Sequence, residues 1–266
     1  MPELPQISVI IAAFQAVECL PRAIVSVLDQ RYVNTELIVI DGGSDDGTVE
    51  LLKSFGHKIS AWRSESDLGI YDAWNKGVAL ARGQWIAFLG ADDIFYPDSL
   101  ACYQSFVVSH PDLDYVSSRI RLVRASGGSR IIGQPWSWAV FRRYMNVAHV
   151  GSLHHQRLFE KHGRFDVKWK ICGDYEFLLR SGEQLRAGFV DEVLVEMAAG
   201  GISESSTRGI SETLRIKLHL ASVGVIQAWL DFLEAWCKWH IRRLFQMLQG
   251  RCRRPRLHFN QRLGLF

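Results

Sequence analysis

The stretch ESDLGIYDAWNKGVALARGQWIAFLGADD, residues 65–93, restricts the fold of this chain more than any other part of it. From Ile70 to Arg82, apolar residues recur at helical spacing, which predicts a helix with one apolar face. Gln84 to Leu89 is a short apolar run typical of a buried strand. Asp92 and Asp93 follow directly, and two carboxylates at a buried strand end are costly unless positive charge lies on them. A helix, a strand and a cation-binding strand end are therefore expected here.

The residues before this stretch alternate between strand and helix. Predicted strands cover Ile7 to Phe14, Glu36 to Ile40 and Lys58 to Arg63, and predicted helices cover Leu20 to Gln30 and Val49 to Phe55. Such alternation is typical of a parallel sheet with right-handed crossovers. Asp41 follows the second strand, so its carboxylate is expected at the same sheet edge as Asp92. Ligands bind at that edge in open α/β sheets, and a divalent cation carrying a phosphate-bearing ligand would suit these carboxylates.

The patterns after residue 96 are less regular. They predict helices from Pro97 to Ser109, Leu158 to Lys161 and Asp174 to Ser181, and strands from Tyr115 to Val123, Ser129 to Gly133 and Val190 to Met197. The first two of these strands are expected to be antiparallel because a short Gly-rich turn joins them. Pro135 to Val150 fits neither pattern, and residues 200–209 are expected to form a flexible loop. We expect one domain over residues 1–209.

Residues 210–266 are predicted to form a helical, basic amphipathic extension. Between Ile226 and Gln249 one face carries Trp229, Leu233, Trp236, Leu244 and Leu248, and the other carries Gln227, Asp231, Glu234, Lys238, Arg242 and Gln246. Eight lysines and arginines, and no acidic residue, follow Glu234. A basic amphipathic helix with tryptophans favours in-plane binding to a membrane surface. Packing against its own domain or a partner subunit is the alternative. No nucleic-acid partner is expected, because no recognition motif accompanies the basic cluster.

The cysteines and the amino terminus limit the class of protein. Five cysteines, widely spaced and without a CxxC pair, match neither a disulfide framework nor a zinc site. Reduced thiols in the cytoplasm are therefore expected. The first residues lack the features of a signal peptide, and no apolar run is long enough to predict a transmembrane helix.

Five ordered motifs resemble those of the family-2 glycosyltransferases with a GT-A fold. They are SVIIAAF (8–14), VIDGGSDDGT (39–48), SESDLGIYDAWNKG (64–77), ARGQWIAFLGADD (81–93) and GDYEFLLR (173–180). Together they cover roughly the first two hundred residues and are far more specific than any one alone. The resemblance implies an α/β fold with a mostly parallel central sheet flanked by helices. The most similar subgroup builds bacterial surface polysaccharides, including exopolysaccharide and O-antigen.

The same resemblance implies roles for individual residues. Asp174 would be the general base that deprotonates the acceptor hydroxyl. Asp92 would bind the donor diphosphate through Mg²⁺ or Mn²⁺, and Asp93 would orient the donor sugar or a water on the metal. The nucleotide-sugar site would comprise Ala12, Phe14, Asp41, Asp67, Asp72, Ala91 and Asp92. The family often has acidic residues where this chain has Gly42, Gly90 and Gly173. His154, His155 and Gln156 would line the acceptor or phosphate cleft, or alternatively cap the following helix.

The implied activity is inverting transfer of a sugar from a UDP-, GDP- or dTDP-sugar to a saccharide acceptor. We expect the acceptor to be carried on an undecaprenyl-type lipid, because that would explain a membrane-seeking extension. The protein would then be peripheral on the cytoplasmic face of the plasma membrane, held through residues 226–266. The alternative is a nucleotide-sugar-binding partner subunit without turnover.

Overall fold

A mixed β-sheet organises the protein in a computed structural model that describes residues 7–31, 33–124, 127–200 and 207–252. Its strands in this part of the chain are β1 (Ile7–Ala13), β2 (Thr35–Asp41), β3 (Ala61–Ser64), β4 (Trp85–Gly90), β5 (Ile94–Phe95), β6 (Tyr115–Val123), β7 (Ser129–Ile132), β8 (Leu153–His155) and β9 (Ala187–Ala198). The helices are α1 (Leu20–Leu28), α2 (Thr48–Phe55), α3 (Ile70–Leu80), α4 (Ser99–Ser109), α5 (Trp138–Phe141), α6 (Gln156–His162), α7 (Gly173–Ser181), α8 (Arg208–Leu220) and α9 (Val225–Cys252).

The first four strands form the predicted parallel half of the sheet, in the order β3-β2-β1-β4. The carboxyl ends of these parallel strands form one edge of the sheet, which we call the functional edge. Their register fixes this edge, because Ala12 lies opposite Gly90 of β4 and Ala13 lies opposite Asp41 of β2. Asp41 and the turn that carries Asp92 therefore lie at the same edge of the sheet, on either side of the end of β1. This confirms the α/β fold and the shared edge predicted from the sequence.

The second half of the sheet is mostly antiparallel. β8 pairs with β4, β6 pairs with β8 and β7, and β5 pairs with β9, all antiparallel, while β9 runs parallel to β6. The predicted strand from Lys58 to Arg63 is wrong at its start, because Gly56–Lys58 forms a 3₁₀ turn and β3 begins at Ala61. β5 and β8 were not predicted, since two or three residues are too few to show a period of two.

Helices cover both faces of the parallel half. Successive side chains of β1 alternate between the faces, so Val9 and Ile11 pack with α1, whereas Ile10 packs on the opposite face with Trp74 of α3. The α3 backbone lies close to the sheet, because a Cβ at Gly77 would be 2.4 Å from Cγ2 of Ile10. This packing fixes the start of α3 above the functional edge.

The two carboxy-terminal helices pack on each other and on the domain through polar contacts. Asp231 of α9 is buried and accepts hydrogen bonds from Lys217 of α8, Arg143 and Gln227. The outward side of α9 carries large exposed apolar side chains, namely Val225, Ile226, Trp229, Leu230, Leu233, Trp236, Ile241 and Leu244. In the part of the chain described, no helix is both long and apolar enough to cross a bilayer.

Candidate functional site

Asp41 ends β2 at the functional edge and is fully buried. Its Oδ2 accepts hydrogen bonds from the backbone N–H groups of Gly43 and Ser44 and from the Ser64 hydroxyl, and its Oδ1 accepts one from the Ser44 hydroxyl. These contacts hold the turn after β2 against β3. Direct contact of Asp41 with a base or ribose stays a prediction. In the structure, the hydrogen bonds of Asp41 fix the conformation of the turn.

Phe14 and Asp67 both lie close to Gly42, the first residue after β2. A Cβ at Gly42 would lie 2.8 Å from Oδ2 of Asp67 and 3.3 Å from Cδ2 of Phe14, so there is no space for a side chain at position 42. Phe14 is 64% exposed although it is a large apolar side chain. Its exposed ring suits a planar group that stacks, and the nearby carboxylate suits a hydrogen-bond donor. Ala12, one of the predicted lining residues, lies in β1, two residues before Phe14.

Asp72 holds the loop that leads into α3. Its Oδ2 accepts a hydrogen bond from the Leu68 N–H and lies 3.3 Å from Nζ of Lys76. Lys76 also pairs with Glu65 at 3.1 Å, which closes the loop from both ends. Asp67 accepts a hydrogen bond from the Gly69 N–H within the same loop. The predicted nucleotide-sugar residues Asp67 and Asp72 therefore lie together above the edge.

The adjacent aspartates after β4 have different surroundings. Asp93 is buried, and its carboxylate accepts hydrogen bonds from the N–H groups of Gly90 and Ala198, which ties β4 to the end of β9. Burial, together with the nearby charge of Asp92, raises the pKa of Asp93 to about 7. Asp92 is exposed and makes no hydrogen bond or ion pair with any described residue. Ala91, between Gly90 and Asp92, is partly buried against the core.

Asp92 is thus the carboxylate at this edge that is available to a cation. Within the described ranges, no group of three or more His, Cys, Asp or Glu side chains is placed to hold a metal ion. The residues fit Mg²⁺ or Mn²⁺ only if the ion arrives with a phosphate-bearing ligand, because Mg²⁺ is commonly held by one or two carboxylates plus substrate phosphates and water. A metal contact of Asp93 stays a prediction, since its two oxygens already accept backbone hydrogen bonds.

Asp174 lies in the first turn of α7, where the helix terminus favours its ionised form. Its Oδ1 accepts hydrogen bonds from the Tyr71 hydroxyl at 3.0 Å and the Tyr175 N–H at 2.9 Å. Burial raises the pKa of Asp174, and these hydrogen bonds partly oppose that rise. Nδ1 of His149 lies 4.0 Å from Oδ2, and burial lowers the pKa of this histidine to about 3, so it is neutral. A carboxylate with a raised pKa and a fixed orientation is suited to accept a proton.

Tyr71 and His149 were not among the predicted site residues. Tyr71 connects α3 directly to the candidate base, and its ring fills the space beside Gly173, where an added Cβ would lie 2.9 Å from the ring. The hydrogen-bonded pair Tyr71 and Asp174 is separated by 103 positions in the sequence. The apolar period of α3 marks Tyr71 as neither a core nor a site residue, so no local signal indicated this contact.

The predicted acceptor residues of β8 and α6 lie elsewhere. His154 is fully buried among aromatic rings, including Phe88 and Tyr115. His155 precedes α6, and its Nδ1 accepts a hydrogen bond from the Arg157 N–H, as a helix cap does. Gln156 is the first residue of α6, and its N–H binds the carbonyl of Gln84. These surroundings match the capping alternative for His155, and a role in acceptor or phosphate binding stays a prediction for all three.

A cavity of about 620 Å³ opens beside the candidate base. Asp174 and Tyr175 line it together with residues of α8 and α9. The carboxy-terminal helices, which the sequence indicated only as a separate extension, therefore contribute to the surroundings of Asp174. Such a cavity is large enough for a small organic ligand.

Comparisons with known sequences point to one family. The sequence profile described as "Glycosyl transferase family 2" matches residues 8–156. The chain is 31% identical over 185 residues to the PGL/p-HBAD biosynthesis glycosyltransferase of Mycobacterium tuberculosis (strain H37Ra), covering 66% of this chain and 69% of that protein. It is 29% identical over 244 residues to the succinoglycan biosynthesis protein ExoO of Rhizobium meliloti, covering 86% of this chain and 69% of that protein.

Solved structures agree on the fold. TarS 1-349 of S. aureus in complex with UDP-GlcNAc superposes with a TM-score of 0.68 at 14% identity, covering 86% of this chain and 71% of that chain. In a longer TarS structure the chain spans 42% of the protein. The mannosyltransferase PcManGT from Pyrobaculum calidifontis, in complex with GDP-Man and Mn²⁺, has a TM-score of 0.63 at 16% identity and is covered over 70% of its length, with 87% of this chain aligned. At these identities the likeness concerns the fold alone.

Proposed function

The chain belongs to glycosyl transferase family 2 and is a glycosyltransferase, and from that premise we propose that it transfers a sugar with inversion from a nucleotide-diphosphate sugar to a saccharide hydroxyl. One relative is named for PGL/p-HBAD biosynthesis and another for succinoglycan biosynthesis. This chain would likewise act in the synthesis of a glycolipid or a polysaccharide. The observation that carries the proposal is Asp174, a partly buried carboxylate with a raised pKa that the Tyr71 hydroxyl holds beside a cavity.

The donor would lie along the functional edge. Its base would stack on the exposed ring of Phe14, and Asp67, which also lies close to Gly42, would accept hydrogen bonds from it. Asp92 would hold Mg²⁺ or Mn²⁺ against the diphosphate, and PcManGT offers a precedent for Mn²⁺ in this fold. When bound, the cation would neutralise the negative charge of the departing diphosphate. Asp93 would support Asp92 by keeping the end of β4 fixed against β9.

The acceptor hydroxyl would approach from the side of Asp174. The carboxylate takes the hydroxyl proton while the hydroxyl oxygen forms a bond to the anomeric carbon. The bond from that carbon to the diphosphate oxygen breaks on the opposite face, and the diphosphate leaves with its electron pair. One displacement of this kind inverts the anomeric configuration. The raised pKa of Asp174 suits this step, since it makes the carboxylate a stronger base than an ordinary aspartate.

We further propose that α9 lies on the cytoplasmic face of the plasma membrane and that the acceptor is an undecaprenyl-type lipid-linked saccharide. Trp229, Leu233 and Trp236 are exposed on the outward side of α9, while basic residues dominate the sequence after Glu234. Apolar side chains with nearby positive charge suit an anionic lipid surface. Flotation with phosphatidylglycerol vesicles tests this proposal.

Substitutions are better suited to that test than truncation, because removing residues 226–266 also removes the partner of Lys217. Trp229→Gln combined with Trp236→Gln should release the protein from vesicles. Leu218→Gln, an exposed leucine on α8, is the matched control and should leave binding unchanged. If the double variant binds vesicles as the wild type does, the membrane proposal fails. Self-association that the double variant abolishes, without vesicle binding by the wild type, would identify a second copy as the occupant.

Turnover of donors tests the main proposal. UDP-, GDP- and dTDP-sugars are screened with Mn²⁺ by thermal shift, because a bound ligand stabilises the protein, and hits are then assayed for nucleotide diphosphate release. Slow hydrolysis of one donor, and inverted configuration in the NMR spectrum of the product, are expected. Donor binding without release of the diphosphate from any donor would instead support the binding-subunit alternative.

A further inference from the structure

We propose that the cavity between Asp174 and α9 is the acceptor subsite and that it takes a glycoside with an apolar aglycone. This inference rests on the proposed function, because it requires Asp174 to be the base. Beyond that function, the carboxy-terminal helices line the subsite and select the chemistry of the acceptor.

The position of the cavity supports an acceptor site. Asp174 is one of its lining residues, so a ligand in the cavity can present a hydroxyl to the carboxylate. The volume of about 620 Å³ falls within the range of about 300–1,000 Å³ that is usual for small-molecule sites. That space holds a sugar ring together with part of the group attached to it.

The wall of the cavity is largely apolar. Its apolar lining comes from the α5–β8 connection, the segment before α7, and both carboxy-terminal helices, and it includes Met145, Ile171, Ile210, Leu214, Phe232 and Ala235. Along α9, Ala228, Asp231, Ala235 and Lys238 recur at intervals of three and four and therefore share the face that lines the cavity. An apolar ligand surface buried here gains free energy in proportion to its area.

The charges that line the cavity are already paired. Lys217, 3% exposed, and Arg143 both donate to Asp231. Lys238 pairs with Glu234 through exposed side chains. Among the described lining residues, each cation therefore has a carboxylate partner, although Arg143 and Lys217 share the one carboxylate of Asp231. Because these cations are already engaged with carboxylates, the apolar part of the lining is what favours an apolar aglycone.

The geometry of α9 relates this subsite to the outward apolar side of the same helix. The cavity face of α9 and the exposed face with Trp229 and Leu233 lie on opposite sides. A single helix thus separates the subsite from the proposed lipid surface. An acceptor with an apolar aglycone fits this arrangement, because such a molecule concentrates at that surface.

The test compares two glucosides that differ only in the aglycone. Binding of n-octyl β-D-glucoside, below its micellar concentration, and of methyl β-D-glucoside is measured by calorimetry in the presence of the turned-over donor's nucleotide diphosphate. The octyl compound should bind at least about tenfold more tightly, because burial of its methylene groups is favourable. Ala235→Trp, which fills the cavity from α9, should remove the preference. Thr213→Phe, which fills it from α8, should do the same and covers the case in which Ala235→Trp does not fold.

Cys237→Trp is the matched control, since it adds the same ring two residues away on an exposed part of α9 outside the cavity lining. It should keep the preference for the octyl compound. The inference is overturned if the wild type shows no measurable preference for the octyl compound. It is also overturned if the preference survives both cavity-filling variants or is lost in Trp229→Gln. Donor hydrolysis, measured on the same samples, separates this failure from failure of the proposed function. The inference alone fails if hydrolysis is intact, and the proposed function fails if hydrolysis is absent.

Discussion

Replacing Tyr71 with phenylalanine removes the hydroxyl that binds the candidate base and leaves the ring that packs beside Gly173. The hydroxyl lies 3.0 Å from Oδ1 of Asp174 and 2.8 Å from the carbonyl oxygen of Ile171, so its single proton is shared between two acceptors. A hydrogen bond to a charged group contributes about 1.5–3 kcal/mol, and sharing places this one at the lower end. At about 1.4 kcal/mol per pKa unit, losing it raises the pKa of Asp174 by about one unit.

The sign of the effect follows from the role of the carboxylate. Asp174 acts when ionised, so activity is present above its pKa and is lost as the pH falls through it. Tyr71→Phe should therefore move the acidic limb of the kcat profile about one unit to higher pH and change kcat little on the alkaline side. Diphosphate release measured from pH 5 to 9 follows this shift.

Tyr96→Phe is the matched control for this experiment. It also removes a hydroxyl bound to a carboxylate at 3.0 Å, that of Glu196, which does not line the cavity. Its profile should coincide with that of the wild type. An unshifted acidic limb in Tyr71→Phe, or a fall in kcat that is equal at every pH, would refute the reasoning.

Three further predictions concern stability, each measured by urea denaturation. Gly90→Ala should lower the free energy of unfolding by about 1–3 kcal/mol, because its Cβ would lie 2.5 Å from Oδ2 of Asp93, whereas Gly224→Ala, whose Cβ meets nothing within 4 Å, should change it little; equal effects would contradict this. Asp231→Asn should cost about 3–5 kcal/mol by leaving Lys217 buried without a carboxylate, and wild-type stability would contradict it. Burial raises the pKa of Asp114, but hydrogen bonds from Arg186 and Arg157 outweigh it and lower the pKa to about 2. The stability that Asp114 contributes is therefore full above its unfolded pKa of about 3.9 and is lost as the pH falls towards about 2. Asp114→Asn should flatten the acid dependence in that window, and an unchanged slope would count against the ion pairs.

The parallel half of the fold was predictable because its strands are continuous apolar runs. β1, β2 and β4 are buried almost throughout, so their residues carry a strong signal. β8 carries Leu153, His154 and His155, and in so short a strand the histidines suggested a polar site. Its pairing with β4 depends on long-range contacts that no local pattern records.

The common edge of Asp41 and Asp92 was predictable because both residues follow apolar strands, but their surroundings were not. The difference between exposed Asp92 and buried Asp93 depends on the Ala198 N–H at the end of β9. The space beside Gly90, where the family often has an acidic residue, is taken by the carboxylate of Asp93. That glycine therefore reflects packing between neighbouring residues, which one sequence cannot reveal.

The orientation of α9 was also beyond the sequence. The period of the helix separates an apolar face from a polar face, but it does not show which of the two faces the domain. The polar face meets the domain because the carboxylate of Asp231 pairs with the buried ammonium group of Lys217, which lies 14 residues earlier in the sequence. Periodicity alone cannot decide which face turns inward when a buried charge needs a partner.

Asp174→Asn, compared with the wild type for donor binding and for turnover, tests the central claim most directly. Asparagine keeps the size of the side chain but cannot take a proton, and loss of a general base costs about 10²–10⁴ in rate. We predict that calorimetry gives the same donor affinity for both proteins with Mn²⁺, while kcat for transfer falls within that range. Transfer by Asp174→Asn at the wild-type rate would contradict the assignment of Asp174 as the base.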